Sequence, residues 1–244
     1  MDLRNEAGER LEFTLHDAVG PRARAATRPV VVIGHGVTGN KDREWAVALG
    51  EGLSRAGFDA LRFSFAGNGA SEGDFGASCP TKEAGDLGSV IDALGDRDVV
   101  YVGHSMGAAV GVLRASRDER IRALVSLAGM VETAAFVERK FAELVPGRDV
   151  MWDKPDCPLS QAFVDDMRGI GSVEGLAARV KVPWLLVHGT ADPVVPLEES
   201  ERIRERAGGS AQLVLLEGVD HVFTGAIDEL VRSVRTWLER LFAG

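Results

Sequence analysis

The chain repeats one pattern, in which a short run of apolar, β-branched residues is followed by a segment with apolar residues at helical spacing. The runs are PVVVIG (29–34), ALRFSF (60–65), DVVYVG (98–103), IRALVSLAG (121–129), PWLLVHG (183–189) and AQLVLLEG (211–218). Continuous apolar runs of this length indicate strands that are buried on both faces. Their alternation with helices predicts an α/β fold with a mostly parallel central sheet and helices on both faces.

The segments between the runs refine this prediction. Between the first two runs, Trp45, Leu49, Leu53 and Ala56 recur at helical spacing, and Gly57 is a plausible stop for that helix. The segment RLEFTLHD (10–17) predicts an antiparallel edge strand in a hairpin. In folds of this class, ligands bind beyond the carboxyl ends of the parallel strands. We therefore expect the functional residues to follow the strands.

Length and composition limit the choices further. A chain of 244 residues with 45% hydrophobic content fits one domain spanning residues 1–244. Its net charge of −9 would repel nucleic acid and anionic membrane surfaces. There is no basic leader with an apolar core and no apolar run near 20 residues, so we expect a cytoplasmic protein. Cys79 and Cys157 match no metal-ligand spacing and suggest reduced thiols.

The alternation of strands and helices breaks once, between residues 130 and 182. Residues 131–144 have a helical pattern, residues 146–158 are rich in turn formers, and residues 161–180 hold one or two further short helices. Insertions of this length inside a compact domain are usually functional or form a small subdomain. We interpret residues 130–182 as a helical lid. The alternative is a packing insert without contact to the substrate.

The third apolar run ends in Gly-His-Ser-Met-Gly (103–107), where Ser105 stands between two glycines. The small-residue segment MGAAVGVLRAS (106–116) follows and predicts a helix. A reversal from strand to helix in so few residues requires strained dihedral angles and close backbone approach, which glycine permits at 103 and 107. The turn would expose the Ser105 hydroxyl at the N-terminus of the next helix, where negative charge is favoured. Ser105 is therefore a candidate nucleophile.

A serine nucleophile requires a histidine base and an acid that orients the histidine. His16, His35, His104 and His188 lie in or next to predicted strands, whereas His221 lies in the loop after the last strand and is the best base by elimination. Asp192 follows the strand at 183–189 and is the preferred acid. Asp220 is the alternative, although it would have to reach back to the ring of its own neighbour.

The order Ser105, Asp192, His221, taken with HGVTGNKD (35–42), RFSFAGNGASEGDF (62–75), GHSMGA, HGTADPVVP (188–196) and DHVF (220–223), resembles the α/β-hydrolase family over nearly the whole chain. The motifs are most similar to those of small carboxylesterases, including feruloyl and cinnamoyl esterases and monoacylglycerol-lipase-like hydrolases. The resemblance implies that the backbone N–H groups of Val37 and Met106 form the oxyanion hole.

The resemblance also implies a function. We expect a serine hydrolase that cleaves small or medium acyl or aryl esters through an acyl-enzyme intermediate, without a cofactor or metal. We expect the substrate to contact residues beside the triad and aromatic residues of the lid, namely Gly36, Val194, Val222, Phe136, Phe141 and Phe163. The same triad would serve a thioesterase or an amide hydrolase, and a ligand-binding receptor on a hydrolase scaffold is a further alternative. The sequence leaves the natural substrate and the oligomeric state open.

Overall fold

A computed structural model of the chain describes residues 1–20 and 28–243. Within these residues a seven-stranded sheet has the order β1-β3-β2-β4-β5-β6-β7. The strands are β1 (Phe13–His16), β2 (Val30–Gly34), β3 (Ala60–Phe63), β4 (Val99–His104), β5 (Ile121–Leu127), β6 (Trp184–Gly189) and β7 (Ala211–Leu216). All neighbouring strands are parallel except β1 and β3. The predicted α/β fold with a mostly parallel sheet is confirmed.

Helices cover both faces of this sheet. They are α1 (Glu44–Arg55), α2 (Pro80–Ala93), α3 (Met106–Ala115), α4 (Thr133–Phe141), α5 (Gln161–Ile170), α6 (Glu174–Ala177), α7 (Leu197–Ala207) and α8 (Ile227–Leu241). Apolar side chains of α2, α3 and α7 form a core on one face, and those of α1 and α8 form a second core on the other. In the described part of the chain, no helix is both long enough and apolar enough to cross a bilayer.

Successive side chains of a strand point alternately into these two cores. Val30 and Val32 of β2 belong to the first core, whereas Val31 and Ile33 belong to the second. Because successive side chains of a strand point to opposite faces, a strand covered on both sides must be apolar throughout. This requirement explains why the sequence runs are continuous rather than alternating. At the end of α1, Gly57 adopts a φ of +84°, which favours glycine and ends the helix where the sequence predicted.

The N-terminal strand β1 lies at one edge of the sheet. β1 is an antiparallel edge strand, as expected, but it pairs with β3 in the register Phe13 to Phe63 and not with its sequence neighbour β2. The start of the predicted segment does form a short hairpin, because Arg10 makes an antiparallel bridge with Arg4 and the Leu11 N–H donates to the Leu3 carbonyl. Both edges of β2 are taken by parallel partners, β3 and β4, so β1 pairs at the edge of the sheet beyond β3.

The inserted segment between β5 and β6 contains α4, α5 and α6. Phe136, Phe141, Phe163 and other side chains of α4 and α5 form a third apolar cluster, separate from the two cores of the sheet. The last part of the segment behaves differently, because Val173, Ala177 and Val180 belong to the first core. The segment thus packs on the body through Val131 and its C-terminal part, and the small core around α4 and α5 also includes Met106 and Val195 of the body. We refer to residues 130–182 as the cap.

Candidate active site

Ser105 lies in the turn that connects β4 to α3. Its backbone adopts φ +54° and ψ −120°, a strained conformation for a residue with a side chain. A Cβ at Gly103 would collide with the carbonyl of Gly107, and a Cβ at Gly107 would collide with the carbonyl of His35. Two glycines are therefore required for the strand, the helix and the neighbouring loop to pack this closely. The turn places Ser105 at the carboxyl edge of the sheet and at the N-terminus of α3.

The structure brings Asp192 and His221 into direct contact. His221 Nδ1 lies 2.7 Å from Asp192 Oδ2, and the carboxylate side chain is only 1% exposed. An ionised carboxylate only accepts hydrogen bonds, so Nδ1 donates and Nε2 of the neutral ring is left free to accept a proton. Asp220 does not make this contact. Its Oδ1 accepts hydrogen bonds from the backbone N–H groups of Val222 and Thr224, within its own loop.

Asp192 is held ionised by the groups around it. Burial raises the pKa of this carboxyl, but hydrogen bonds from His188 and His221 outweigh burial and hold the pKa well below its usual range. Asp192 Oδ1 also accepts hydrogen bonds from the N–H groups of Val194 and Val195, at 2.7 and 3.0 Å. The carboxylate therefore enters the site as a fixed negative charge with a fixed orientation.

His104, which precedes Ser105, also contacts His221. Its Nε2 donates a hydrogen bond to the His221 carbonyl at 2.8 Å, and the two ring centroids are 4.7 Å apart. Its ring also packs against Trp45. Burial, together with the nearby His221, lowers the pKa of His104 to about 3, so the ring is neutral near pH 7. His104 thereby ties the loop that carries His221 to the turn that carries Ser105.

The loop after β2 is fixed by a third buried histidine. His35 Nδ1 donates to the Gly36 carbonyl at 2.9 Å, and Nε2 accepts from the backbone N–H of Phe65 at 3.1 Å. Val37 lies two positions after His35 in this loop. Among the described residues, no protein group accepts a hydrogen bond from the backbone N–H of Val37 or of Met106. Both N–H groups are thus available to an oxygen bound beside Ser105.

A cavity of about 240 Å³ opens over these groups. Of the residues predicted from sequence, its lining includes Ser105, His221, Gly36, Val37, Phe136, Val194 and Val222. Asp192 lies behind His221 and Met106 contributes its side chain to the cap cluster, so neither lines the cavity. A larger groove of about 510 Å³ lies between β7 and α8, and none of the predicted site residues lines it. The smaller cavity is therefore the candidate active site.

Two of the predicted substrate contacts do not reach this cavity. Phe141 and Phe163 are absent from the cavity lining and lie in the cap cluster, where their ring centroids are 6.2 Å apart. The expectation that both line the pocket is corrected by this packing. Phe136 lines the cavity and Phe141 does not because they are five positions apart, which turns their side chains about 140° away from each other around the helix axis.

Several lining residues were not singled out as contacts by the sequence. They are Thr38, Gly39, Arg43, His104, Trp152 and Lys154. Trp152 and Asp153 both have positive φ values, +49° and +55°, in the turn-rich part of the cap. No periodic pattern marks such residues, because all of them except His104, the last residue of β4, lie in loops whose course is set by contacts with distant parts of the chain. Within residues 1–20 and 28–243, no group of three or more His, Cys, Asp or Glu side chains is arranged to hold a metal ion.

Comparison with known proteins covers most of the chain. A family model described as "alpha/beta hydrolase fold" matches residues 29–149, and one described as "TAP-like protein" matches residues 150–239. An uncharacterized protein of Mycobacterium tuberculosis is 27% identical over 205 residues, which cover 82% of this chain and 66% of that protein. The chain thus spans slightly less than two thirds of that relative.

Two further matches are informative. The human protein "Palmitoyl-protein thioesterase ABHD10, mitochondrial" is 26% identical over 215 residues, covering 78% of this chain and 69% of that protein. Among solved structures, Est1E from Butyrivibrio proteoclasticus with bound ferulic acid superposes with a TM-score of 0.88 at 24% identity and covers 100% of both chains. At this identity the structural match shows the shared fold.

Proposed function

Because the chain belongs to the α/β-hydrolase family, we propose that it is a serine hydrolase that cleaves carboxylic esters through an acyl-enzyme intermediate. One observation carries this proposal. Ser105, strained at the start of α3, shares a cavity with His221, whose Nδ1 lies 2.7 Å from the buried carboxylate of Asp192. Nucleophile, base and orienting acid are the parts that acyl transfer by serine requires.

In the first half of the reaction, Ser105 Oγ attacks the carbonyl carbon of the ester while His221 Nε2 takes the hydroxyl proton. Asp192 stabilises the imidazolium that forms and keeps Nδ1 protonated. The carbonyl oxygen becomes an oxyanion, which the N–H groups of Val37 and Met106 and the N-terminus of α3 stabilise. When the carbon–oxygen bond to the leaving alcohol breaks, His221 returns the proton to that alcohol. The products are the free alcohol and an ester of Ser105.

In the second half, water replaces the serine by the same steps. His221 Nε2 takes a proton from the water as its oxygen attacks the acyl carbon, and the oxyanion forms again between Val37 and Met106. Collapse of this intermediate releases the carboxylic acid, and His221 returns the proton to Ser105 Oγ. All proton transfers therefore use one nitrogen, which supports a single fixed tautomer of His221.

The cavity supports a short or medium acyl or aryl ester. Its volume of about 240 Å³ lies below the range of roughly 300–1,000 Å³ that is usual for drug-sized ligands. Phe136, Val194 and Val222 supply an apolar wall. We assign the cap the role of a lid, because Phe136 and Trp152 bring it to the same cavity as Ser105.

A thioester is the second candidate substrate. The relative named as a palmitoyl-protein thioesterase, 26% identical to this chain, favours it. The triad serves both reactions, since a thiolate leaves more readily than an alkoxide and needs the same nucleophile and oxyanion hole. A long palmitoyl chain is harder to reconcile with the size of the cavity.

The test is reaction with a fluorophosphonate and turnover of p-nitrophenyl esters. We expect one fluorophosphonate per chain, attached at Ser105 and located by peptide mass spectrometry, and many turnovers of p-nitrophenyl butyrate. A matched panel of butyryl ester, thioester and amide ranks the leaving groups. Labelling without turnover would support a ligand-binding receptor on a hydrolase scaffold instead, and absence of both would refute the proposal.

A further inference from the structure

Two basic side chains line the active-site cavity and play no part in the triad. They are Arg43, at the start of α1, and Lys154, in the cap. Both donate hydrogen bonds to the same residue of the loop after β2. Arg43 Nη2 donates to the Thr38 carbonyl at 2.9 Å, and Lys154 Nζ donates to Thr38 Oγ1 at 3.1 Å. A cation from the body and a cation from the cap therefore meet at one side of the cavity.

Neither cation is neutralised by the protein. Among the described residues, no carboxylate oxygen lies within 4.0 Å of the charged nitrogens of Arg43 or Lys154. The acidic neighbour of Arg43, Asp42, is engaged by Lys41 at 2.8 Å and by Arg62 at 3.0 Å. Other basic residues near buried acids are paired, as Arg139 is with Glu199 and Arg114 with Asp118. In a chain of net charge −9, two unpaired cations in one cavity are a local feature of that cavity.

We propose that Arg43 and Lys154 bind an anionic group of the substrate, so that the preferred esters or thioesters carry a carboxylate or phosphate close to the reacting carbonyl. This inference rests on the proposed function and adds the chemical class of the substrate. The lining of the same cavity also includes the apolar side chains of Phe136, Val194 and Val222. A molecule with one apolar part and one anionic part matches this lining.

The donors needed for this role remain available. Arginine carries five N–H groups and lysine three, and the contacts with Thr38 use one of each. The bonds to Thr38 also hold the two side chains in place, which reduces the entropy lost when an anion binds. A charge-assisted hydrogen bond in a partly enclosed cavity is stronger than one on an open surface, because water and salt screen it less.

A purely structural role for these residues makes a different prediction. If Arg43 and Lys154 only ordered the loop that carries Val37, removing them would slow all substrates equally. If they bind an anion, their removal lowers the rate for anionic substrates more than for neutral ones. The ratio of the two rates therefore distinguishes the roles.

The experiment measures kcat/KM for two pairs of esters that differ in charge but match in length. Mono-p-nitrophenyl adipate against p-nitrophenyl hexanoate tests an anion on the acyl side, and 4-carboxyphenyl hexanoate against its methyl ester tests an anion on the leaving group. We expect the wild type to prefer the anionic member by about tenfold in one of the two pairs. The pair that shows the preference identifies the side of the substrate that carries the anion.

The variants Arg43→Gln and Lys154→Met remove one cation each. Each should lower the anionic-to-neutral ratio several-fold, and Arg43→Lys should retain more of it than Arg43→Gln. Arg117→Gln and Lys181→Met are the matched controls, since both residues are exposed and neither lines the cavity. They should leave the ratio unchanged. Raising the ionic strength should lower the wild-type ratio, because the attraction is electrostatic.

A wild-type ratio near one in both pairs would overturn the proposal, as would equal slowing of both members of a pair in folded Arg43→Gln and Lys154→Met. Thermal melts identify variants that have not folded. The salt dependence of the wild-type ratio tests the proposal without any variant, and a preference that salt does not weaken would overturn it. Failure of the proposed function has a separate signature, in which no ester of either charge is turned over and Ser105 is not labelled by fluorophosphonate.

Discussion

The two walls of the active-site cavity are held by different forces. On the sheet side, the loops after β2, β4, β6 and β7 are fixed by directional hydrogen bonds of buried histidines. His35 donates to the Gly36 carbonyl and His104 to the His221 carbonyl, while His188 donates to the Val195 carbonyl and accepts from the Ser200 hydroxyl. On the cap side, the wall is fixed by edge-to-face packing of rings, with Phe141 and Trp152 centroids 4.9 Å apart. Hydrogen bonds set angles and distances, whereas apolar packing sets mainly volume.

The two walls share one property, which is local backbone strain. The described residues other than glycine with positive φ are Thr38, Ser105, Ala128, Trp152, Asp153 and Phe223. Each belongs to the loops around the candidate active site, to the end of β5, or to the part of the cap at the cavity. Such conformations each cost on the order of 1–3 kcal/mol and persist only where the surroundings enforce them. Strain concentrated around one cavity is typical of a functional site.

The cap is also tied to the body by one buried acid. Glu199 of α7 accepts hydrogen bonds from the N–H groups of Val131 and Glu132 and from Arg139, at 2.6, 2.9 and 2.7 Å. This carboxylate holds the start of the cap directly beyond β5. The comparison between the walls therefore predicts that changes on the sheet side alter chemistry, and that changes in the cap alter stability or selectivity.

The largest expected effect is that of Ser105→Ala. Removing the hydroxyl eliminates the nucleophile, so turnover of p-nitrophenyl butyrate should fall by about 10⁴-fold or more, while the fold is retained. Steady-state kinetics and a thermal melt check the two parts. Near-normal turnover by the folded variant would remove Ser105 from the mechanism.

The second largest loss of activity is expected from a change of Asp192, the acid on the sheet side of the cavity. Asp192→Asn replaces the carboxylate that accepts the hydrogen bond from His221 Nδ1–H by a neutral amide. The amide favours the wrong tautomer of His221, so kcat should fall roughly 10³- to 10⁴-fold. Asp220→Asn is the control, because the Asp220 carboxylate binds groups of its own loop, at Val222 and Thr224, and this change should cost far less. If Asp220→Asn proved the more damaging change, the orienting role would pass to Asp220.

The cap should respond in stability. Phe141→Ala leaves a cavity in the cap cluster and should lower the free energy of unfolding by about 3–5 kcal/mol, measured by urea denaturation. Phe136→Ala is the matched change at a residue that lines the active site, and it should also shift the preference between butyrate and octanoate esters towards octanoate. An equal shift in selectivity for Phe141→Ala would contradict the placement of Phe141 behind the wall.

The smallest effect is a dependence of stability on pH that arises from the sheet side, since the cap sequence contains no histidine. Burial lowers the pKa of His35 to about 4 and that of His104 to about 3. Between pH 6.5 and these values the unfolded chain binds protons that the folded chain does not, so stability falls as the pH falls. Each histidine should contribute about 2 kcal/mol of this loss at pH 5.

The matched variant isolates one of these contributions. His104→Asn should lose less stability than the wild type between pH 7 and pH 5, by about 2 kcal/mol, in urea denaturation at both pH values. Burial raises the pKa of Glu83, so this residue stabilises the fold as the pH falls, in the opposite direction to the histidines. Because Glu83 is present in both proteins, its contribution cancels when the variant is compared with the wild type. Identical losses for the two proteins would show that His104 titrates normally in the folded state.

Most of the fold was predictable because it follows from local patterns. The apolar runs at 29–34 and 98–103 became β2 and β4 with ends within one residue, since only a strand covered on both faces needs such runs. The partner of β1 was not predictable, because strand pairing depends on which sheet edge is free. The three residues Ser105, Asp192 and His221 carry local signals, a glycine-framed turn or a position just after a strand, and their roles remain predictions for the kinetic tests.

The sequence by itself determined the layer architecture, the turn that carries Ser105 and the order of the three candidate catalytic residues, because each is encoded by residues close together in the chain. Only the tertiary structure decided which cap phenylalanine lines the cavity, that Asp192 and not Asp220 contacts His221, and that Arg43 and Lys154 meet at Thr38. These are contacts between segments 5 to 116 positions apart. Their geometry depends on how separate elements pack, which no local pattern of residues records.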